Sequence, residues 1–117
     1  MASIMAGNEK VEIGEILPEE LAQRLKRGAP PMILDVREPE EIALASFPGA
    51  THIPMGEVLS RAAELDPDRE TVVVCHHGIR SAQVAMYLAR LGFERISNLS
   101  GGIDLWSATV DPAVPRY

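Results

Sequence analysis

A single cysteine, Cys75, leaves the 117-residue chain without a partner for an internal disulfide. Packing alone must hold the fold, as suits a reducing cytoplasm, and no resolving-cysteine mechanism can run within the chain. Basic residues are also scarce: 11 Lys and Arg face 17 Asp and Glu, a formal charge of −6. That balance argues against nucleic acid or an anionic membrane surface as a general partner. Long apolar runs are missing too, since no stretch approaches the ~20 residues of a membrane span. The start, Met1 to Gly7, has neither a basic n-region nor an apolar run of signal length, and residues 1–10 are expected to be a flexible N-terminus that frays or derives from cloning. There are no repeats and no low-complexity linkers. With 46% hydrophobic residues and mean hydropathy near zero, the chain reads as one globular domain with a single core.

What the chain does have is a strand, a tight loop and a helix within residues 70–91. Thr71 to Val74 is a continuous β-branched run, the pattern of a strand buried on both faces of a parallel sheet. It ends at Cys75. From Ser81 onward Val84, Tyr87, Leu88 and Leu91 recur at helical spacing, and Gly92 stands where a helix would stop. The loop Cys75-His76-His77-Gly78-Ile79-Arg80-Ser81 therefore lies just beyond the carboxyl end of a strand, where open α/β sheets bind ligands. Backbone N–H groups in such a curl converge on one point, the helix dipole adds positive potential, and Gly78 suits the positive φ required. A thiol at that focus has its thiolate stabilised, with Arg80 and any charge on His76 or His77 acting in the same sense. The competing reading is an inert cysteine capping a core strand.

Elsewhere the alternation continues. Val11–Ile16 suits a short edge strand, and Pro18–Arg27 a helix with acidic residues in its first turn, basic residues at its end and Gly28 beyond. Pro31–Arg37 reads as a second buried strand ending in the polar pair Asp35 and Arg37. A short helix follows from Glu38 to about Ala45, then a turn at Phe47–Ala50, a brief strand at His52–Pro54 and a helix from Gly56 to Leu65. Arg95–Leu99 is the last strand, and Gly101 starts a final helix whose Trp106 is a core anchor. The tail Val110–Tyr117 is too broken by proline for regular structure and is expected to lie along the surface. About five strand-helix alternations call for a parallel sheet with helices on both faces, an α/β fold.

These residues resemble the rhodanese (sulfurtransferase) family from about Ile13 to Trp106. Leu34-Asp35-Val36-Arg37 with Glu41, followed by Phe47-Pro48-Gly49-Ala50-Thr51-His52-Ile53-Pro54, is similar to the family's amino-terminal signature. Cys75 to Ser81 resembles its active-site loop, and Leu99-Ser100-Gly101-Gly102-Ile103-Asp104-Leu105-Trp106 its carboxy-terminal signature. One departure is Ala45-Ser46, where the family usually has Gly-His. The resemblance implies a rhodanese-like fold, a five-stranded parallel sheet with helices on both faces, with residues 11–108 as the rhodanese domain and 109–117 as a C-terminal tail. That tail is similar to the tail of rhodanese modules attached to adenylyltransferases that serve ubiquitin-like sulfur carriers.

The implied reaction is a double displacement. Cys75 takes sulfane sulfur from thiosulfate or a persulfide donor, holds it as a persulfide, and passes it to a thiol, cyanide or a sulfur-carrier protein. Arg80 is expected to attract the anionic donor, unless it pairs with a carboxylate on the adjacent helix. His76 and His77 are expected to form the rim, with Gly78, Ile79 and Ser81 completing the loop. Asp35 and Arg37 are expected to brace the loop as a buried ion pair, supported by Glu41. No cofactor is implied. A zinc site from Cys75, His76, His77 and His52 is disfavoured, because adjacent histidines seldom aim at one ion and no second sulfur ligand exists. One rival is a cysteine phosphatase or arsenate reductase, families whose loop carries five residues between Cys and Arg where Cys75 and Arg80 enclose four. The other is a non-catalytic rhodanese-like binding module; such modules typically lack the cysteine.

Overall fold

In the computed structural model, which describes residues 11–117, the elements run β1 (Gly14–Ile16), α1 (Pro18–Lys26), β2 (Met32–Asp35), α2 (Pro39–Leu44), β3 (Thr51–His52), α3 (Val58–Arg61), β4 (Thr71–Val74), α4 (Ile79–Arg90), β5 (Ile96–Leu99) and α5 (Gly102–Thr109). The strands form one parallel sheet in the order β1-β5-β4-β2-β3. The β-branched run is its centre, and all four residues of β4 are buried.

Side chains alternate across the sheet, so the run feeds two cores. Val73 joins Val58 of α3 and Val84 and Leu88 of α4 on one face. Val72 and Val74 join Leu21 of α1 and Ile103 and Trp106 of α5 on the other. Trp106 is the anchor its sequence suggested, 5% exposed and packed on Phe47 with ring centroids 4.7 Å apart. The α/β reading and the five-stranded parallel sheet with helices on both faces are therefore observed.

Because every strand runs the same way, the carboxyl ends share one edge. Register places Asp35 beside Val74 and Asn98 beside both Val73 and Glu15. The polar ends of three strands thus gather where β4 hands over to the loop.

Element limits differ from expectation where backbone pairing decides them. β1 is confined to Gly14–Ile16 because only those residues find partners, Ser97–Leu99 of β5. β3 is Thr51–His52 and not His52–Pro54; beyond it the N–H groups of Ile53 and Met55 still donate to the carbonyls of Asp35 and Val36 at 3.0 and 2.9 Å. The helix expected over Gly56–Leu65 is split into a 3₁₀ turn at Met55–Glu57, the single α-turn of α3 and a second 3₁₀ turn at Ala62–Glu64. It has to end there because Leu65 turns extended to enter the core. α4 starts at Ile79, two residues before the apolar periodicity. The expected flexible N-terminus, residues 1–10, lies outside the described residues.

Candidate active site

Cys75 follows the last residue of β4 and is 1% exposed. Gly78 turns the chain with φ +98 and is the N-cap of α4. That curl carries the Gly78 N–H back onto the Cys75 Sγ at 3.1 Å. The first N–H groups of α4 have no partner within the helix, so the loop closes on a cluster of unspent donors. Ser81, buried in the first turn of α4, brings its Oγ to 3.2 Å from Sγ.

A second wall comes from α5. The N–H groups of Ile103 and Asp104 donate to the carbonyls of Cys75 and His76 at 2.9 and 3.1 Å. This contact is possible only with glycine at 102: its φ is +63, and a Cβ there would overlap both of those carbonyl oxygens. The Gly101-Gly102 pair in the third signature is thus a docking device for the loop.

The opposite wall is built from charge. Asp35 and Arg37 form the buried pair expected of them, 1% and 0% exposed, with Arg37 Nε donating to Asp35 Oδ1 at 3.0 Å and Nη2 to Oδ2 at 2.7 Å. Burial works against the Arg37 charge, but the bonds to Asp35 and Tyr117 outweigh it and raise its pKa. The remaining donors go to the Ala45 carbonyl at 2.8 Å and the Tyr117 hydroxyl at 2.9 Å. The pair therefore braces β2, the end of α2 and the tail. It reaches the loop indirectly, through the Tyr117 ring stacked 3.9 Å from His76.

Arg80 forks onto Glu41 at 2.7 and 2.8 Å, the carboxylate pairing that competes with donor binding. The fork holds Glu41 well below the usual carboxylate range, at about 2, against the opposing pull of its burial. Tyr117 donates its hydroxyl to the same carboxylate at 2.9 Å. The tail is irregular, as expected, but it does not merely lie on the surface. Val114 is 6% exposed and its carbonyl accepts from the Ser107 hydroxyl.

His76 and His77 stack at 3.9 Å on the outer side of the loop, and Ile79 points outward, 72% exposed. Burial, followed by the neighbouring His77, pushes the His76 imidazole below its ordinary range, and its buried Nε2 has no hydrogen-bond partner. Among the described residues, His76, His77 and Asp104 form the one group that places three metal-ligating atoms within 4.8 Å of one another. Arg116 already grips that carboxylate at 3.0 and 3.1 Å. His52 is elsewhere engaged, its Nε2 2.6 Å from the Arg37 carbonyl.

Three residues of this site escaped the sequence reading. Asn98 and Glu15 touch each other across the β1–β5 register, and the Asn98 side chain reaches Gly78 and Ser81. The available signal was a lone amide in the otherwise core-forming β5. Tyr117 was marked only by being the aromatic of a proline-rich tail.

The comparisons agree with this geometry. A family model described as rhodanese-like domain matches residues 17–109. A sulfurtransferase of Allochromatium vinosum is 39% identical over 81% of the chain and 89% of its own length. A thiosulfate sulfurtransferase of Pseudomonas entomophila is 35% identical over 84% and 88%. A chloroplastic rhodanese-like/PpiC domain-containing protein of Arabidopsis thaliana is 36% identical over 94% of the chain, which spans only 39% of that longer protein. Among solved structures, a rhodanese-like domain protein from Staphylococcus aureus superposes with a TM-score of 0.78 at 30% identity, covering 90% of this chain and 99% of the other. The human single-domain sulfurtransferase gives 0.72 at 28% identity, covering 84% and 98%. With the Gly78 N–H on a strand-end cysteine, a glycine-docked helix closing the loop and these relatives, the chain belongs to the rhodanese-like domain family.

Proposed function

We propose that the protein is a sulfurtransferase in which Cys75 carries the sulfur. The observation that supports this best is the Cys75 sulfur itself, at a strand end with the Gly78 N–H on it and the start of α4 beside it. In the first step the thiolate attacks the outer sulfur of thiosulfate. The S–S bond of the donor breaks, sulfite leaves with the electron pair, and Cys75 is left as a persulfide anion. In the second step an acceptor thiolate attacks the outer sulfur of that persulfide, a new S–S bond forms on the acceptor, and Cys75 returns as a thiolate. Negative charge moves by one sulfur atom in each step and stays within reach of donors already in place.

Thiosulfate is the donor suggested by the Pseudomonas relative's name; a low-molecular-weight thiol, cyanide or a sulfur-carrier protein would serve as acceptor. Arg80, fixed on Glu41, adds positive potential from the side, so backbone N–H groups and not its guanidinium meet the leaving sulfite. Intact-mass measurement before and after thiosulfate tests the reading. The wild-type chain gains one sulfur, and Cys75→Ser, nearly isosteric but unable to form a persulfide, gains none and keeps its fold. Sulfur gain by the serine variant overturns the assignment of Cys75. Aryl phosphate hydrolysis comparable to the sulfur transfer overturns the reaction class.

A further inference from the structure

Asn98 is 4% exposed in a strand whose other buried residues are apolar, and its amide is fixed by its neighbours. Nδ2 lies 3.1 Å from the Gly78 carbonyl and 3.2 Å from both carboxylate oxygens of Glu15. A carbonyl and a carboxylate accept hydrogen bonds, so the amide nitrogen must face them and Oδ1 must face the other way. The other way is Ser81, whose Oγ is within bonding distance of both Asn98 Oδ1 and Cys75 Sγ. The hydroxyl has one proton. Asn98 Oδ1 can only accept, whereas a thiol can donate, so with Sγ protonated the hydroxyl proton goes to Asn98 and Ser81 turns its lone pairs toward the sulfur.

We propose that Asn98 is a positioning residue for Cys75: by claiming the Ser81 proton it makes Ser81 a hydrogen-bond acceptor toward the sulfur. A protonated sulfur completes this chain by donating to Ser81. A bare thiolate faces lone pairs on that side until the hydroxyl rotates and leaves Asn98. In the persulfide the charge sits on the outer sulfur, one S–S bond of about 2 Å farther from Ser81, where the same lone pairs oppose it less. The arrangement therefore favours charge on the transferred sulfur over charge on Sγ. This consequence rests on the sulfur-transfer reading, whereas the direction of the hydroxyl does not.

The test is the rate of Cys75 alkylation by iodoacetamide as a function of pH, which needs no sulfur donor and so separates failure of this proposal from failure of the reaction class. The other groups around the sulfur stay constant across the variants. They are Arg80 of α4 with Glu41 of α2, His76 and His77 in the loop, Asp104 of α5 with Arg116, Tyr117 of the tail, and the Asp35–Arg37 pair at the end of β2. Among the described residues, Glu15 of β1 reaches the site through Asn98 and Ser100. In Asn98→Ala the freed hydroxyl donates to the sulfur, and the alkylation midpoint falls by about one pH unit, the worth of one hydrogen bond. In a Ser81→Ala background the same Asn98 substitution moves nothing. An unchanged midpoint in Asn98→Ala, or an equal shift with and without Ser81, overturns the proposal. Ser81→Ala alone tests it while leaving the Asn98 Nδ2 bonds to Gly78 and Glu15 in place. Losing an acceptor lowers the midpoint, whereas a rise or no change means that Ser81 does not act as one.

Discussion

The loop that holds Cys75 leans on two walls of opposite kinds. On the α5 side the contacts are backbone to backbone, two N–H···O=C bonds allowed by a glycine, and nothing in them titrates. On the α2 side they are side chain to side chain, with Asp35, Arg37, Glu41, Arg80 and the Tyr117 hydroxyl joined in one network. The first wall fixes where the loop carbonyls sit through steric exclusion. The second sets the electrostatics around the site, and pH and salt can reach it.

The largest break is expected at the buried pair. Arg37→Met removes the partner of a 1%-exposed carboxylate, leaves Asp35 uncompensated, and should lower stability by about 3–5 kcal/mol in urea unfolding. Next comes the glycine wall. Gly102→Ala combines a left-handed backbone with overlap against the Cys75 and His76 carbonyls, a loss of about 2–4 kcal/mol. It should also reduce sulfur transfer, because relief requires the loop to move. The glycine variant's loss should be independent of salt between about 0.05 and about 1 M, the range over which exposed charges become screened, since that wall is backbone on backbone.

A smaller effect sharpens the comparison through pH. Glu41 falls from 4.5 to about 2 on folding, so its contribution is present above pH 4.5 and is lost as pH falls to about 2. Wild type should exceed Glu41→Gln by roughly 2 kcal/mol at neutral pH, with the gap closing through that acid window. A gap that persists at pH 2 would mean that the carboxylate charge is not what matters. Tyr117→Phe is the mildest test. It keeps the ring on His76 but deletes the hydroxyl that bonds Glu41 and Arg37, and a loss of about 1 kcal/mol is expected. Thermal unfolding should register it together with a slightly higher Glu41 titration, since that bond helps to hold the carboxyl down.

Local pattern was enough to find the central strand, the loop and the order of elements. Four consecutive β-branched residues between turn signals favour a strand with two buried faces, and Gly78 suits the turn that follows. The cysteine, the loop residues and the Asp35–Arg37 pairing follow from the same short-range logic, since a charge beside a buried strand needs a partner close in sequence. What local pattern could not decide is which distant groups meet. Arg80 lies 39 residues from Glu41, Tyr117 lies 76 from it, and Asn98 meets Glu15 across 83. Those meetings depend on a strand order in which β5 lies between β1 and β4, and on where the tail lands after α5. A side chain's partner is set by sheet register and helix docking, and these arise from burying both faces of the sheet at once; only the folded chain could bring Arg80 onto Glu41 and the Ser81 hydroxyl within reach of Asn98.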